Sequence, residues 1–285
     1  MKLKARLIAV DLDGTLLAPD GKLSPKVAAA CRKALACGVM LVPATGQRFR
    51  SVLSTVARAL SPSHVIAHNG AVVKRVSDCA TVHESLMPND LAADIVEHLK
   101  GRDLEPLVFV DGHDDGVDYY KTFDQAVRSG TTEYLSLSTA YARTLSSFRD
   151  IPYDGVIKIL TLGERSELDA AALATSLEFS GRAAPFVASL QNWRPSFMEV
   201  MSVSTGKGHA LSALASILGI PIEATAAVGD GLNDVGLMAA AGVSVAMGNA
   251  VAEVKAAADH VVAGNDADGA AEAIELLLDG LRAGK

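Results

Sequence analysis

The chain has 285 residues, 49% hydrophobic and 21% charged, with a formal net charge of −7. At roughly 150 residues per domain, that length suits about two soluble globular domains, and aromatics at only 5% point to cores of small aliphatic side chains. The acidic balance and the lack of any long basic run exclude a general nucleic-acid binder, which needs a stripe of cations to neutralise phosphates.

Leu7 to Val10 is a short, wholly apolar run, as expected of a strand buried on both faces of a parallel sheet, and Asp11 follows at its carboxyl end. Ligand sites of open α/β sheets gather at that edge. Ser24-Pro25 opens a helix to about Ala36, with Ser as the N-cap and Pro at the first helical position, and Gly38 ends it. A strand from Val39 to Pro43, a helix from Arg50 to Leu60 and a strand from His64 to Ala67 continue a β-α-β-α-β rhythm.

From about His83 the rhythm changes. A helix over Pro88 to Leu99 with Asn89 as a candidate cap precedes strands at Pro106 to Val110 and Val117 to Tyr120, which flank a polar turn. Lys121 to Asp150 reads as one or two short helices. Val156 to Leu162 is a strand, Ser166 to Phe179 a helix and Pro185 to Leu190 a strand. Then the α/β alternation returns: strand Phe197 to Met201, helix Lys207 to Leu218, strand Thr225 to Val228, helix Val235 to Ala241, strand Val243 to Met247, helix Ala250 to Ala258, strand His260 to Val262 and a closing helix Gly269 to Leu281. The expected fold class is therefore α/β, a doubly wound and mainly parallel sheet formed by residues 1–82 and 191–285. An α+β domain, residues 83–190, is inserted into it.

Four elements carry chemistry. Asp11 and Asp13, with Gly14 and Thr15, place two carboxylates beside a sharp turn. Such carboxylates repel unless a proton or a hard cation such as Mg²⁺ relieves them, although a strand-ending turn uses the same residue types. Asp230, Asn233 and Asp234 follow a second buried strand and read equally as ligands or as a turn with an N-cap. Thr45-Gly46, also after a strand, offers a hydroxyl and N–H groups to phosphate oxygens, and Lys207 offers a fixed cation. Each is weak by itself; in this order, and largely at strand ends of one sheet, they converge.

The series Asp11-Leu12-Asp13-Gly14-Thr15, Thr45-Gly46, Lys207 and Gly229-Asp230-Gly231-Leu232-Asn233-Asp234 resembles the four motifs of the haloacid dehalogenase superfamily of phosphatases. The insert resembles the α/β cap of the Cof-type branch, and Asn69-Gly70-Ala71 is similar to that branch's substrate-facing segment. The resemblance implies that Asp11 attacks phosphorus and that Asp13 serves as acid and then base. It also implies that Thr45, Gly46 and Lys207 bind the phosphoryl group. Mg²⁺ would be held by Asp11, the Asp13 carbonyl and Asp230, with Asn233 and Asp234 supporting it. Two departures stand out. Gln47 occupies the place where the branch usually carries Arg, with Arg48 next to it, and His68 stands where Asn is frequent. Asn69 and Arg48 are candidate substrate contacts.

The expected activity is Mg²⁺-dependent hydrolysis of a small phosphorylated metabolite, a cap closing over the sheet edge to exclude bulky substrates. Phosphomutase-type transfer and a non-catalytic metal- and phosphate-binding sensor are the alternatives. Binding alone does not require both a nucleophile and an acid, which counts against the sensor. Trp193 and Tyr119-Tyr120 read as packing residues. With no 18-residue apolar run, no secretory signal pattern and three cysteines (Cys31, Cys37, Cys79) outside any metal spacing and read as buried, a cytoplasmic location without membrane or nucleic-acid partners is expected.

Overall fold

Leu7–Val10, with every residue wholly buried, lies inside a five-stranded sheet of order His260–Val261, Val243–Ala246, Thr225–Gly229, Leu7–Val10, Met40–Pro43. All four pairings are parallel. The computed structural model describes residues 5–112, 115–138, 140–189 and 195–280. They fall into two units, Met1–Glu84 with Thr205–Lys285, and Ser85–Ser204. His113, Asp114, Leu190, Trp193 and Leu281, on which some expectations fell, lie outside the described residues.

In the first unit, helices Pro25–Ala36, Phe49–Leu60 and Gly269–Leu278 form one packed group, and Lys207–Ile217 with Val235–Ala240 another. The second group buries Leu211, Leu214 and Leu237 against Leu7, Ala9 and Val42 of the strands. Each such leucine or valine side chain contributes about 1.5–3 kcal/mol on burial. The Ser24 hydroxyl accepts the Val27 N–H at 3.1 Å, capping the first helix as its sequence requires. His64–Ala67 is less simple than expected. It heads an antiparallel three-stranded sheet with Val72–Arg75 and Thr81–Glu84, two strands the sequence reading left out. It still joins the parallel sheet edge through a bridge between Ala44 and Ile66, where the Thr45 N–H donates to the Ile66 carbonyl at 2.9 Å.

The second unit is a six-stranded sheet ordered Ala183–Ser189, Ser196–Ser202, Lys158–Gly163, Leu107–Gly112, Val117–Lys121, Ala142–Thr144, antiparallel except for the last pair. Its core lies under helices Asn89–Lys100 and Arg165–Glu178, where Leu91, Ile95, Val96 and Leu168 meet Val108, Ile159 and Val200. Here the expected boundary at residue 190 is corrected. Ser196–Ser202 pairs on both sides within this sheet, so the chain returns to the first unit only at Thr205. Periodicity shows that 197–201 is a strand but not which sheet it joins. The stretch 121–150 holds one helix, Ser129–Leu137, one short turn of 3₁₀ helix, Phe148–Asp150, and a strand, Ala142–Thr144. Asn89 is not the cap of its helix; its side-chain amide donates to the Tyr153 carbonyl at 2.5 Å. The two ends of the unit meet, with the hydroxyls of Ser85 and Ser204 2.8 Å apart. Cys31 is buried, but Cys37 is exposed at the end of its helix and Cys79 half-buried, because both sit where helix or hairpin turns toward solvent. No helix among the described residues is long and apolar enough to cross a membrane.

Candidate active site

Asp11 leaves its strand with the backbone still extended, its N–H donating to the Val228 carbonyl at 2.9 Å. The chain then turns through Leu12–Leu16, with Gly14 at φ +81°. Glycine is required there twice over: the backbone is left-handed, and a Cβ would lie 2.8 Å from Cγ of Asp230. This close approach lets the Thr15 hydroxyl donate to Asp230 Oδ1 at 2.9 Å and locks the first carboxylate loop against the second.

Lys207 is the first residue of its helix, yet only 1% of its surface is exposed. Its ammonium sits between Asp11 Oδ1 at 2.6 Å and Asp234 Oδ1 at 2.7 Å. Asp234 Oδ2 accepts the N–H groups of Asp230 and Gly231 at 3.1 and 3.0 Å. Both oxygens of Asp234 are thus engaged in holding Lys207 and the second loop. Gly70, at φ +96°, brings the 68–70 turn so close that a Cβ would meet the Gly206 backbone just before Lys207.

Burial pushes the Asp11 carboxyl up to about 8; Lys207 opposes this and Asp234 adds to it. Burial also disfavours the Lys207 ammonium, but the two facing carboxylates outweigh it and hold its pKa above the ordinary value. Asp230 is raised, chiefly by burial, against the Thr15 hydroxyl bond. Asp11, Asp230 and Asp234 each offer a carboxylate oxygen, all within 4.8 Å of one another. A single ammonium among three converging carboxylates leaves a surplus of negative charge on hard oxygen donors, which fits a hard divalent cation.

Thr45 is buried at the end of Met40–Pro43, and its hydroxyl accepts the Gln47 N–H at 3.1 Å. Its carbonyl accepts the Asn69 N–H at 2.9 Å. The Asn69 side chain lies against Gly46, where a Cβ would come within 3.1 Å of its Oδ1, and that oxygen accepts from Asn233 Nδ2 at 2.9 Å. Asp13 is exposed, and its Oδ2 accepts from Gln47 Nε2 at 2.6 Å. Arg48 immediately precedes helix Phe49–Leu60, its carbonyl accepting the Val52 N–H at 3.1 Å. His68 and Asn69 both adopt left-handed backbone, φ 50° and 55°, in the turn that follows His64–Ala67. The structure therefore brings Asp11, Thr15, Asp230, Asp234 and Lys207 into one contact network. It gathers Asp13, Thr45, Gly46, Gln47, Asn69 and Asn233 along the same edge.

Asn249 belongs to this network and was missed in the sequence. Its amide donates to the Gly14 carbonyl at 2.8 Å and to Asp230 Oδ2 at 3.2 Å, tying the two carboxylate loops together. Its Oδ1 accepts the Asn265 N–H at 2.9 Å, which fixes the amide orientation. The available signal was position: Asn249 follows the buried strand Val243–Ala246 at the same sheet edge.

A family model described as haloacid dehalogenase-like hydrolase matches residues 8–274. The phosphatase YwpJ of Bacillus subtilis is 31% identical over 96% of this chain and 100% of its own length. The pyridoxal phosphate phosphatase YbhA of Escherichia coli is 26% identical over 94% of this chain and 97% of its own. A crystal structure of a haloacid dehalogenase-like hydrolase from Bacteroides thetaiotaomicron superimposes with a TM-score of 0.79 at 26% identity, covering 95% of this chain and 99% of that one. With its parallel sheet, its inserted α+β unit and its carboxylate loops, the chain belongs to the haloacid dehalogenase-like hydrolases, Cof-type branch, and is a phosphatase acting on phosphoric monoesters.

Proposed function

We propose that this phosphatase hydrolyses a small phosphorylated metabolite in the cytoplasm with Mg²⁺, through an aspartyl phosphate on Asp11. The observation that carries the reading is the buried Lys207 ammonium held between Asp11 and Asp234, with Asp230 alongside. A buried carboxylate nucleophile splits a difficult hydrolysis into two easier displacements. In the first, an Asp11 oxygen bonds to phosphorus while the ester P–O bond breaks, and Asp13 gives its proton to the departing alkoxide. In the second, Asp13 takes a proton from the water that attacks phosphorus, the acyl phosphate bond breaks, and inorganic phosphate leaves. Such acid–base help supplies about 10²–10⁴-fold.

Thr45, Gly46 and Lys207 bind the phosphoryl oxygens, Lys207 offsetting their charge. Asp11, the Asp13 carbonyl and Asp230 would hold the metal, with Asn233 and Asp234 supporting that set; bound there, Mg²⁺ polarises the phosphoryl group. Asn69 and Arg48 contact the rest of the substrate. The name of the YbhA relative supports a small phosphomonoester as substrate class.

The test is a panel of phosphorylated metabolites and p-nitrophenyl phosphate, with and without Mg²⁺, on the wild type and Asp11→Asn. Metal-dependent phosphate release that Asp11→Asn abolishes is expected. Full activity in that variant refutes the mechanism, and isomerised sugar without phosphate release identifies a mutase instead.

A further inference from the structure

We infer that Gln47 is a positioning residue for the acid–base carboxylate: it occupies Asp13 Oδ2 and so leaves Oδ1 to exchange the proton with the leaving oxygen and then with water. The inference rests on the proposed role of Asp13. The contact is direct, Gln47 Nε2 to Asp13 Oδ2 at 2.6 Å. A hydrogen bond to an exposed carboxylate restrains little if its donor is itself mobile, but Gln47 is pinned through its backbone. Its N–H donates to the Thr45 hydroxyl at 3.1 Å, and its carbonyl accepts the His68 N–H at 3.0 Å. Thr45 is in turn tied to the adjacent strand by its own N–H, which donates to Ile66. The amide that holds Asp13 therefore stands on a rigid sheet edge.

This arrangement also connects the two places where the sequence departs from its branch. The left-handed turn at His68 aims its N–H at the Gln47 carbonyl, and Gln47 aims its amide at Asp13. A carboxylate without that second bond rotates among its wells, and only part of the population presents an oxygen at the ester. The amide proton of Gln47 stays on nitrogen throughout. The proton that moves is the one on Oδ1, to the alkoxide as the P–O bond breaks, and another returns from the attacking water.

The experiment uses the full-length enzyme with Mg²⁺ and a series of aryl phosphates from p-nitrophenyl to phenyl phosphate, reading kcat/KM, which reports the steps through phosphoryl transfer to Asp11. A good leaving group needs little protonation and a poor one needs much. In Gln47→Met, which keeps the length and loses the donor, kcat/KM with phenyl phosphate should fall about 10- to 100-fold. The loss with p-nitrophenyl phosphate should be several-fold smaller, with KM nearly constant. Gln47→Arg, which restores an N–H donor, should recover most of the phenyl phosphate activity. Equal losses across the series, no loss, or failure of Gln47→Arg to recover activity overturn the inference. Asp13→Asn separates this from the underlying mechanism. If it shows the leaving-group contrast and Gln47→Met does not, only the role of Gln47 falls; if it shows none, the acid role of Asp13 and the inference fall together.

Discussion

Each unit of the chain buries an ion set, and the two are built on opposite principles. In the inserted unit, Lys158 pairs with Glu199 across neighbouring antiparallel strands, both side chains 10% exposed, with the ammonium 5.2 Å from the centre of the Phe109 ring. One cation meets one anion, diagonally, as cross-strand pairs do. In the parallel-sheet unit, one ammonium meets two carboxylates, Asp11 and Asp234, with a third, Asp230, nearby. A balanced pair satisfies itself and belongs to the sheet. An unbalanced set is held in place by the backbone and asks for something more: a proton, as the elevated Asp11 carboxyl shows, or a cation. Charge balance in the buried ion set is thus a sharper mark of a site than burial alone.

The largest expected effect breaks the unbalanced set at Asp11, the proposed nucleophile. Asp11→Asn should lower kcat at least about a thousandfold. In metal-free buffer above about pH 8 it should melt at or above the wild-type temperature, because there the substitution removes the charge that burial disfavours on Asp11. A clear loss of thermal stability without metal would contradict the charge argument. Next, Lys207→Met leaves two buried carboxylates without their cation and should cost about 3–5 kcal/mol in urea unfolding. Removing the balanced pair whole, with Lys158→Met and Glu199→Leu, should change stability by about 1 kcal/mol or less, since paired charges replaced together are often neutral. A cost of about 3 kcal/mol or more for that double replacement would contradict the reading of the pair as self-satisfied.

A smaller effect concerns the brace between the loops. If the carboxylates hold Mg²⁺ as proposed, Asn249→Ala should weaken its binding about tenfold by calorimetry on the substrate-free protein, a size typical of groups that orient metal-binding carboxylates. An unchanged affinity would reduce Asn249 to a loop contact.

The smallest effect runs through both units alike. His64 in the first and His98 in the second have pKa values lowered mainly by burial. The unfolded imidazoles, near 6.5, therefore take up protons before the folded ones do, so the contribution of these two groups to stability is constant above that pH and falls as pH drops below it. Each imidazole adds a slope of at most about 1.4 kcal/mol per pH unit. Replacing His64 and His98 with Gln should make the slope of stability against pH between about pH 5 and 6.5 less positive than in the wild type in urea titrations, and an unaltered slope would refute the linkage.

Much of the first unit was legible because its signals are local. Leu7 to Val10 is apolar on both faces and ends in a carboxylate, and Ser24-Pro25 states where a helix starts. The carboxylate loops could be placed because each follows a buried strand. What could not be read is pairing. Phe197 to Met201 reads as a strand in either unit, and only its hydrogen bonds to Ala183–Ser189 and Lys158–Gly163 decide which. The hairpin of Val72–Arg75 and Thr81–Glu84 was hidden because its second strand buries no residue fully and so shows no apolar run. Asn249 was hidden for another reason: its two partners lie at Gly14 and Asp230, and no spacing in the sequence reports that convergence. Gln47 was noticed only as a mismatch; its bond to Asp13 gives the mismatch a physical meaning.

The meeting of Ser85 and Ser204 bears on how the chain reaches this state. The central strand pairs Leu7 with Thr225, a closure that would be slow if everything between them were a loose loop. A unit whose own ends touch converts most of that span into a short tether once it has folded. The expected order of assembly is that the insert folds on its own contacts first and the sheet closes across its stem afterwards.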